Sequence, residues 1–248
     1  MLPPWRVEVT LSHIIPIHNQ LLARLEGNQR DLLKQHLQLV DLAQYHVLFE
    51  AGDEVEHVYF PNGGMLSLLV VMQDGHAIET ATVGKEGVVG AMVGLGFRRS
   101  LVRAVVQLPG AMLKIPADEF RRAVEADEGL RDMCMTYNEV LLAQARILAA
   151  CNALHPINQR FSRWLLQSAD RIGGNTIGLT QELLSEMLGV RRTSVTEAAM
   201  LLQHDGLIEY SRGVITILDR RRLEASACEC YQTLLDHSAT LVPEPVND

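Results

Sequence analysis

Residues 179–218 carry the sequence pattern that most constrains the fold of this chain. Thr180 can cap the N-terminus of a helix, and Leu184 and Leu188 then repeat at the spacing of a buried helical face. Gly189 can end this helix because glycine adopts a positive φ angle at the lowest cost. The pattern therefore predicts a first helix that closes in a tight turn.

A second helix and a β-hairpin follow this turn. The helix is predicted to begin near Arg192, with Val195 and Leu202 on its buried side. Ser211-Arg212-Gly213 then indicates the turn of a hairpin. Helix, turn, helix and hairpin in this order are typical of a winged helix-turn-helix, whose second helix enters the major groove of DNA. The alternative is a set of helices and strands that serves packing alone.

The solvent-facing side of the second helix and the wing offer side chains that suit DNA. Arg can bond bidentately to guanine, Glu can accept from cytosine, and Thr can bond or pack against thymine, whereas an Arg on the wing can meet a phosphate. The candidate DNA contacts in this region are Arg191, Arg192, Thr193, Thr196, Glu197 and Arg212.

The charge of the chain restricts the kind of DNA binding that it can support. The 248 residues carry a net charge of -8, which argues against a protein that coats nucleic acid without sequence preference. Residues 156–248 hold nine Arg, no Lys and twelve acidic residues, and thus a net charge of -3. Arg191, Arg192 and Arg212 are nevertheless clustered on the elements predicted to touch DNA. This distribution favours site-selective binding with a modest phosphate contribution.

Apolar segments and cysteines indicate the compartment. No apolar stretch reaches the roughly 18 residues that a membrane span needs. The N-terminal MLPPWRVEVTLSH lacks the basic and apolar regions of a signal peptide, so we expect a cytoplasmic protein with no membrane partner.

The spacing of the four cysteines matches neither a disulfide framework nor a zinc finger. These residues are Cys134, Cys151, Cys228 and Cys230. If both lie on one helix, the side chains of Cys228 and Cys230 point roughly 200° apart. We therefore predict reduced thiols and no metal site. The alternative is a redox or metal-binding role for this pair.

Short β segments separated by Gly, Asn and Asp precede the DNA-binding region. Many short strands at regular spacing predict a small barrel or β-roll, and Asp74-Gly75 is a strong hairpin signal. The predicted strands are 46–50, 58–60, 65–72, 77–83, 103–107 and 111–115, with one helix expected within 19–42 and another over 118–126.

A long helix is predicted between the roll and the helix-turn-helix, over residues 129–154. It is apolar on two sides, so one side can cover the roll while the other pairs with its copy in a second subunit. Burial within a single subunit is the alternative. The side chains predicted for the dimer seam are Tyr137, Leu141, Gln144, Leu148 and Cys151.

The long helix should end at His155-Pro156, a candidate hinge, because the residue before a proline avoids the helical region. The predicted fold class is α+β, with a β-roll sensor over residues 1–128, a dimerisation helix and hinge over 129–155, and a winged helix-turn-helix over 156–248.

This order of parts resembles the CRP/FNR superfamily of bacterial transcription regulators. The strongest stretches are VLFEAGDEVEHVYFP, KEGVVG, AACNALHPINQRFSRWLL and LTQELLSEMLGVRRTSVT. The resemblance implies a cyclic-nucleotide-binding-like roll, a homodimer, a two-fold symmetric DNA operator and RNA polymerase as a partner. It places Gln181 at a phosphate contact and Arg192, Thr193, Thr196 and Glu197 on the base-reading face. The family commonly has Glu in place of Thr193 and Arg in place of Glu197, so a different operator is expected.

The sensor departs further from this family. Members that bind cyclic nucleotides have Gly-Glu-x-Gly, whose Glu holds the ribose, but here Gly90-Ala91-Met92-Val93 stands in that place. Arg99 and Ser100 remain at the phosphate position, with Arg98 beside them; a solvated loop is the alternative for these three residues. The candidate effector contacts are Gly90, Ala91, Met92, Arg98, Arg99 and Ser100. Because the Ala side chain cannot accept a hydrogen bond from the ribose, we predict no control by cyclic AMP. No cofactor is predicted, and the sequence does not identify the effector.

Other classes of function are less consistent with the sequence. An iron-sulfur sensor of this family uses an N-terminal cysteine cluster, whereas the first cysteine here is Cys134. A metal-dependent β-roll enzyme needs closely spaced histidines, but His46, His57 and His76 are isolated, so no enzyme is predicted. The rival hypothesis is a nucleotide or small-ligand binding module whose C-terminal helices contact proteins.

Overall fold

The computed structural model describes residues 16–241. The N-terminal segment MLPPWRVEVTLSH, for which no signal peptide is predicted, lies outside the described residues. No helix within 16–241 is long and apolar enough to cross a membrane. The prediction of one helix within 19–42 is wrong, since this region forms helices α1 (Gln20–Arg24) and α2 (Gly27–Lys34) and then strand β1 (Gln38–Leu42). Leu25 has extended backbone angles, and Glu26 and Gln29 form a capping box that starts the second helix.

The β-roll is confirmed, and its six predicted strands are present with small shifts at their ends. They are β2 (Val47–Phe49), β3 (His57–Pro61), β4 (Met65–Val71), β5 (Ala77–Val83), β6 (Arg103–Leu108) and β7 (Gly110–Pro116). Together with β1, these six strands form two antiparallel sheets. The strand orders are β1-β7-β3 and β2-β6-β4-β5. Gly75 has a φ of 87° in the β4–β5 hairpin, which a side chain would disfavour. A short 3-10 helix (Ala91–Leu95) joins β5 to β6.

Two helices follow the roll and cover its core. Helix α3 (Ala117–Ala126) buries Phe120, and the long helix α4 (Glu128–Leu154) buries Leu130 and Cys134 in the same apolar cluster. Asp127 caps α4 by accepting a hydrogen bond from the backbone N–H of Leu130. The interior of the roll is therefore closed by α-helices of the same chain.

The stripe predicted as a dimer seam is covered within the chain itself, so this assignment requires correction. Tyr137, Gln144, Leu148 and Cys151 are all buried, and Leu141 is half-buried against the core of the roll. The helical period identified an apolar face, but both the roll and the C-terminal helix of the same subunit pack on α4. The exposed apolar side chains of α4 instead include Met135 and Leu142.

The C-terminal region is a winged helix-turn-helix, as predicted. Its elements are α5 (Ile157–Ile172), β8 (Thr176–Gly178), α6 (Gln181–Leu188), α7 (Arg192–His204), β9 (Ile208–Ser211), β10 (Val214–Ile217), α8 (Arg220–Ser226) and α9 (Cys230–Leu241). The three strands form one sheet in the order β8-β10-β9. His155 has extended backbone angles and Pro156 precedes α5, so the long helix ends where the sequence indicated.

Candidate nucleic-acid interface

The helix-turn-helix is built from the local signals that its sequence carries. The Thr180 hydroxyl accepts a hydrogen bond from the backbone N–H of Leu183 at 3.3 Å and caps α6. Gly189 ends α6 with a φ of 60°, and a Cβ there would lie 3.0 Å from the Ile78 side chain of the roll. The tight turn between α6 and α7 therefore favours glycine for its backbone angles, and a side chain at this position would also contact the end of Ile78.

Helix α7 separates a buried side from a solvent-facing side. Val195, Ala198, Ala199 and Leu202 are buried against the rest of the domain. The predicted base-reading residues lie opposite: Arg191, Arg192, Thr193 and Glu197 are exposed, and Thr196 is half-buried. The structure thus brings the candidate contacts together at the N-terminal half of the second helix, the part that meets base edges in helix-turn-helix proteins.

Gln181 connects the first helix to this reading face. Its Oε1 atom accepts a hydrogen bond from the Thr196 hydroxyl at 3.2 Å and a longer one from the Arg192 Nε–H at 3.5 Å. The Thr196 hydroxyl also lies 3.0 Å from the carbonyl of Arg192, so these contacts hold Thr196 near the start of α7 before DNA is bound. Less side-chain entropy is then lost when this side chain meets base edges.

The wing places Arg212 at the tip of a tight hairpin. Arg212 and Gly213 are the two central residues between β9 and β10, and both have positive φ angles of 50° and 78°. Two positive φ angles are the signature of a type I′ turn. Within residues 16–241, none of Arg191, Arg192 and Arg212 forms an ion pair, so their positive charge is available to DNA phosphates and bases.

The candidate effector residues lie beside one another but are occupied by contacts within the chain. The Arg99 Nη1 atom donates to the carbonyl of Gly52 at 2.7 Å, and the Ser100 hydroxyl donates to the carbonyl of Val102 at 2.7 Å. Arg98 is exposed and lies 3.8 Å from a carboxylate oxygen of Glu54. The alternative of a solvated loop therefore fits the two exposed arginines, whereas Ser100 is buried.

The other half of the candidate effector site carries no polar side chain. Gly90 starts the short helix with a φ of 89°, Ala91 is buried, and Met92 is half-buried. A neighbouring surface cleft of about 300 Å³ is lined in part by Asp53, Glu54 and Glu56. Three carboxylates would repel a phosphate group, so the charge of this cleft does not favour a nucleotide phosphate.

A buried polar network connects the roll to the DNA-binding domain and was not found from the sequence. Trp164 of α5 donates its indole N–H to Glu79 Oε1 of β5 at 3.0 Å. Ser67 Oγ lies 2.7 Å from Glu79 Oε2 and also contacts the side-chain carbonyl of Gln107. Ser67 donates to Glu79 in this arrangement, and since a hydroxyl has one proton it cannot donate to Gln107 at the same time.

Burial raises the pKa of Glu79 to about 7, although Ser67, Arg163 and Trp164 partly oppose the shift. In the unfolded chain the Glu79 carboxyl ionises near its ordinary pKa. At pH values between the unfolded and the folded pKa, the folded protein therefore binds more protons than the unfolded chain. The free energy of unfolding should therefore fall as pH rises from about 4.5 to 7, by about 3 kcal/mol for this group, and then level off.

Glu79→Gln keeps an acceptor for Trp164 but does not titrate, so it should remove this part of the pH dependence. Urea unfolding at pH 5 and pH 8 measures the difference, with exposed Glu209→Gln as the control. Equal pH dependence in the parent protein and in Glu79→Gln would show that Glu79 is ionised throughout.

A second group missed by the sequence analysis consists of Cys151, His155, Cys228 and Cys230, which lie together at the junction of α4 with the C-terminal domain. Our placement of Cys228 and Cys230 on one helix is wrong, because Cys228 precedes α9 and only Cys230 belongs to it. The helical angle of roughly 200° therefore does not apply to this pair. No spacing rule joins Cys151 to Cys228, so only the folded chain reveals the group.

Two family models match the chain. A cyclic nucleotide-binding domain matches residues 39–127, and a Crp-like helix-turn-helix domain matches residues 159–226. No curated protein matches the sequence.

Solved structures of bacterial regulators share the fold. A transcriptional regulator of the crp/fnr family from Eubacterium rectale is 19% identical, with a TM-score of 0.65 over 84% of this chain and 98% of the other. FixK2 from Bradyrhizobium japonicum is 15% identical, with a TM-score of 0.67 over 77% and 98% of the two chains. TTHA1359 from Thermus thermophilus, a CRP/FNR transcriptional regulator, is 21% identical, with a TM-score of 0.62 over 77% and 98%.

At these identities the structural likeness concerns the fold alone. The two family-model matches, by contrast, together span more than half of the sequence, in the order sensor domain and then helix-turn-helix. The chain therefore belongs to the CRP/FNR superfamily of transcription regulators.

Proposed function

We propose that this protein binds a two-fold symmetric DNA operator as a homodimer in the cytoplasm and regulates transcription there through RNA polymerase. The observation that carries the proposal is the exposed set of arginines on α7 and the wing, held on a winged helix-turn-helix. Arg192 and Thr196 are further oriented by Gln181. A surface that contacted only proteins would not need these hydrogen-bond donors to lie together on one helix that fits the major groove of DNA.

The dimer is proposed to form through the exposed side of α4. Met135, Leu142 and Ala149 are exposed and stand seven residues apart, which is the spacing of a coiled-coil seam. This seam replaces the buried stripe of Tyr137, Gln144, Leu148 and Cys151. Pairing two copies along α4 would place two recognition helices in one particle, as a symmetric operator requires.

The test of DNA recognition is selection of bound duplexes from a random pool by the full-length protein. The proposal predicts enrichment of one sequence with two inverted half-sites about one helical turn apart. Failure to enrich any sequence, together with stable capture of other proteins through α6 and α7, would favour the rival protein-binding module. No enzymatic role is proposed.

Cyclic AMP is expected to have little effect on operator binding. Ala91 supplies no acceptor for the ribose, and Arg99 and Ser100 already bond to the backbone of the chain. A ligand can shift a conformational equilibrium only by its differential affinity for the two states. Calorimetry and operator titration with nucleotide-free protein measure both quantities. Micromolar binding coupled to a tenfold gain in operator affinity, about 1.4 kcal/mol, would contradict cyclic-AMP independence.

A further inference from the structure

The three buried thiols of Cys151, Cys228 and Cys230 converge with the half-buried imidazole of His155 at the end of the long helix. Their potential ligand atoms all lie within 4.8 Å of one another. Cys151 and His155 are contributed by the last turn of α4 and the residue after it, and Cys228 and Cys230 by the connection from α8 to α9. Two segments about 75 residues apart in sequence therefore supply one compact group of metal-binding side chains.

Two of the six separations among these ligand atoms match those of a single tetrahedral ion, and the others do not exceed 4.8 Å. Cys151 Sγ lies 3.5 Å from Cys228 Sγ, and Cys230 Sγ lies 3.5 Å from His155 Nδ1. Zinc bonds of about 2.3 Å to sulfur and 2.0 to 2.1 Å to nitrogen place tetrahedral ligand atoms about 3.4 to 3.8 Å apart. A disulfide would bring two sulfur atoms to about 2.05 Å. An iron-sulfur cluster, which holds several iron atoms between its cysteines, needs a wider gap than these four side chains leave.

The second nitrogen of the imidazole has the partner that metal-bound histidines usually have. His155 Nε2 lies 3.1 Å from Glu229 Oε1, while Nδ1 faces the sulfur atoms. A carboxylate that accepts the Nε2–H proton fixes the tautomer whose Nδ1 lone pair is free for a metal. Glu229 stands between Cys228 and Cys230, so the same short segment supplies two ligands and their supporting carboxylate.

The surroundings also suit the charge of a loaded site. Three thiolates, one neutral imidazole and a divalent cation carry a net charge of -1. Arg163 is buried and lies close enough to interact electrostatically with all three cysteines, and Arg160 does so with Cys151 and Cys228. Arg163 also interacts with the Glu79 carboxyl. Two buried arginines side by side are nevertheless stabilised by further negative charge, so they favour an anionic centre at this place.

We propose that Cys151, His155, Cys228 and Cys230 form a closed site for one Zn²⁺ ion. Thiolate and imidazole ligands select zinc over magnesium or calcium, and four protein ligands leave no open position for a substrate. On binding, three S–H bonds are replaced by three Zn–S bonds and a dative bond from Nδ1, and three protons pass to solvent. No oxidant or reductant takes part.

The location of the site gives zinc a role in placing the DNA-binding domain, an inference that rests on the proposed function. The ion would fasten the end of α4 to the α8–α9 connection across the His155-Pro156 junction. From this junction, Arg160 donates to Asn152 Oδ1 at 2.7 Å and to the carbonyl of Leu188, the last residue of α6. Zinc would therefore fix the orientation of the helix-turn-helix relative to the dimer helix, and its loss should weaken operator binding.

The direct test is the zinc content of the full-length protein, purified with a thiol reductant and dialysed against metal-free buffer. We expect one equivalent of zinc per chain in the parent protein and in Cys134→Ala, which removes a buried cysteine of α4 that packs against the roll and lies outside the group. Cys228→Ala should lose the stoichiometric metal. Zinc content well below one equivalent in the parent after incubation with Zn²⁺, or full content in Cys228→Ala, would overturn the proposal.

Two further measurements keep the proposal testable if Cys228→Ala folds poorly. Co²⁺ added to the metal-free parent should give the intense absorption of tetrahedral cobalt bound to thiolates, and octahedral cobalt bands would contradict the site. Glu229→Gln changes an exposed side chain and should weaken zinc affinity about 10-fold or more while leaving the fold intact. A disulfide between Cys151 and Cys228 in freshly purified protein, with no bound metal, would indicate a thiol pair instead.

The effect on DNA is measured separately, by operator affinity before chelation, after chelation and after restoring Zn²⁺. A reversible fall of about tenfold or more is expected, since typical coupling between two sites is of this size. If zinc binds with one equivalent but operator affinity does not change, the site stands and its regulatory role fails. If the zinc-loaded protein selects no operator, the proposed function itself fails.

Discussion

Leu142→Glu is expected to convert the protein to a monomer and to reduce operator binding strongly. Leu142 is 39% exposed in the single chain and lies midway along the exposed face of α4, so two copies would meet at the seam. Burying a polar group without a partner costs roughly 2 to 7 kcal/mol, and two opposed carboxylates would add repulsion. The dimer dissociation constant should therefore rise more than about 30-fold, and sedimentation at micromolar concentration measures the change.

The matched control is Leu101→Glu, the same substitution at a side chain that is 90% exposed on the roll. It should leave the sedimentation coefficient and operator affinity unchanged. Leu148→Glu is not a suitable test of the seam, because Leu148 is buried within the subunit and its replacement would destabilise the fold. A Leu142→Glu protein that sediments as the parent dimer would rule out this seam.

Arg192→Ala is expected to weaken operator binding by about 1 to 3 kcal/mol per half-site and to relax the preference at one base pair of each half-site. The side chain is exposed at the start of α7 and forms no ion pair within the described residues, so its loss removes a base contact. Arg212→Ala should instead weaken binding to all sequences by a similar factor, since the wing arginine is placed to meet a phosphate.

Binding measured on the selected operator and on single-base variants separates these two effects. Arg122→Ala removes the same charge from an exposed site on α3 and serves as the control. If Arg192→Ala loses affinity equally for every sequence, Arg192 contacts the backbone and another residue reads the base. Parental affinity in both Arg192→Ala and Arg212→Ala would show that the DNA surface lies elsewhere.

The winged helix-turn-helix could be predicted because its signals are local. The cap at Thr180, the positive φ at Gly189 and the helical spacing of the buried leucines each act within a few residues. The strands of the roll were found for the same reason, whereas β1 was not predicted and lies within the range expected to hold a helix. Its backbone groups bond to β7, some 70 residues later in the sequence, and local propensity does not reveal such a partner.

The faces of α4 show a different limit of sequence reasoning. A helical period identifies apolar faces, but it does not say which neighbour covers each one. Gln144 was predicted to lie in the dimer seam, yet its side-chain oxygen accepts hydrogen bonds from the backbone N–H of Thr82 at 3.3 Å and from Arg171 at 3.4 Å. The sequence also did not reveal the group formed by Cys151, His155, Cys228 and Cys230, because only tertiary contacts bring the two halves of this group together.

The most direct test of the central claim is competition between the selected operator and a scrambled duplex of equal length and composition, at one physiological salt concentration. Specific regulators bind their sites about 1,000-fold or more tightly than unrelated DNA, and the affinity ratio is meaningful only at fixed salt. We expect a ratio of at least about 1,000, with two chains bound per operator. A ratio near one would contradict the assignment of this protein as a sequence-specific transcription regulator.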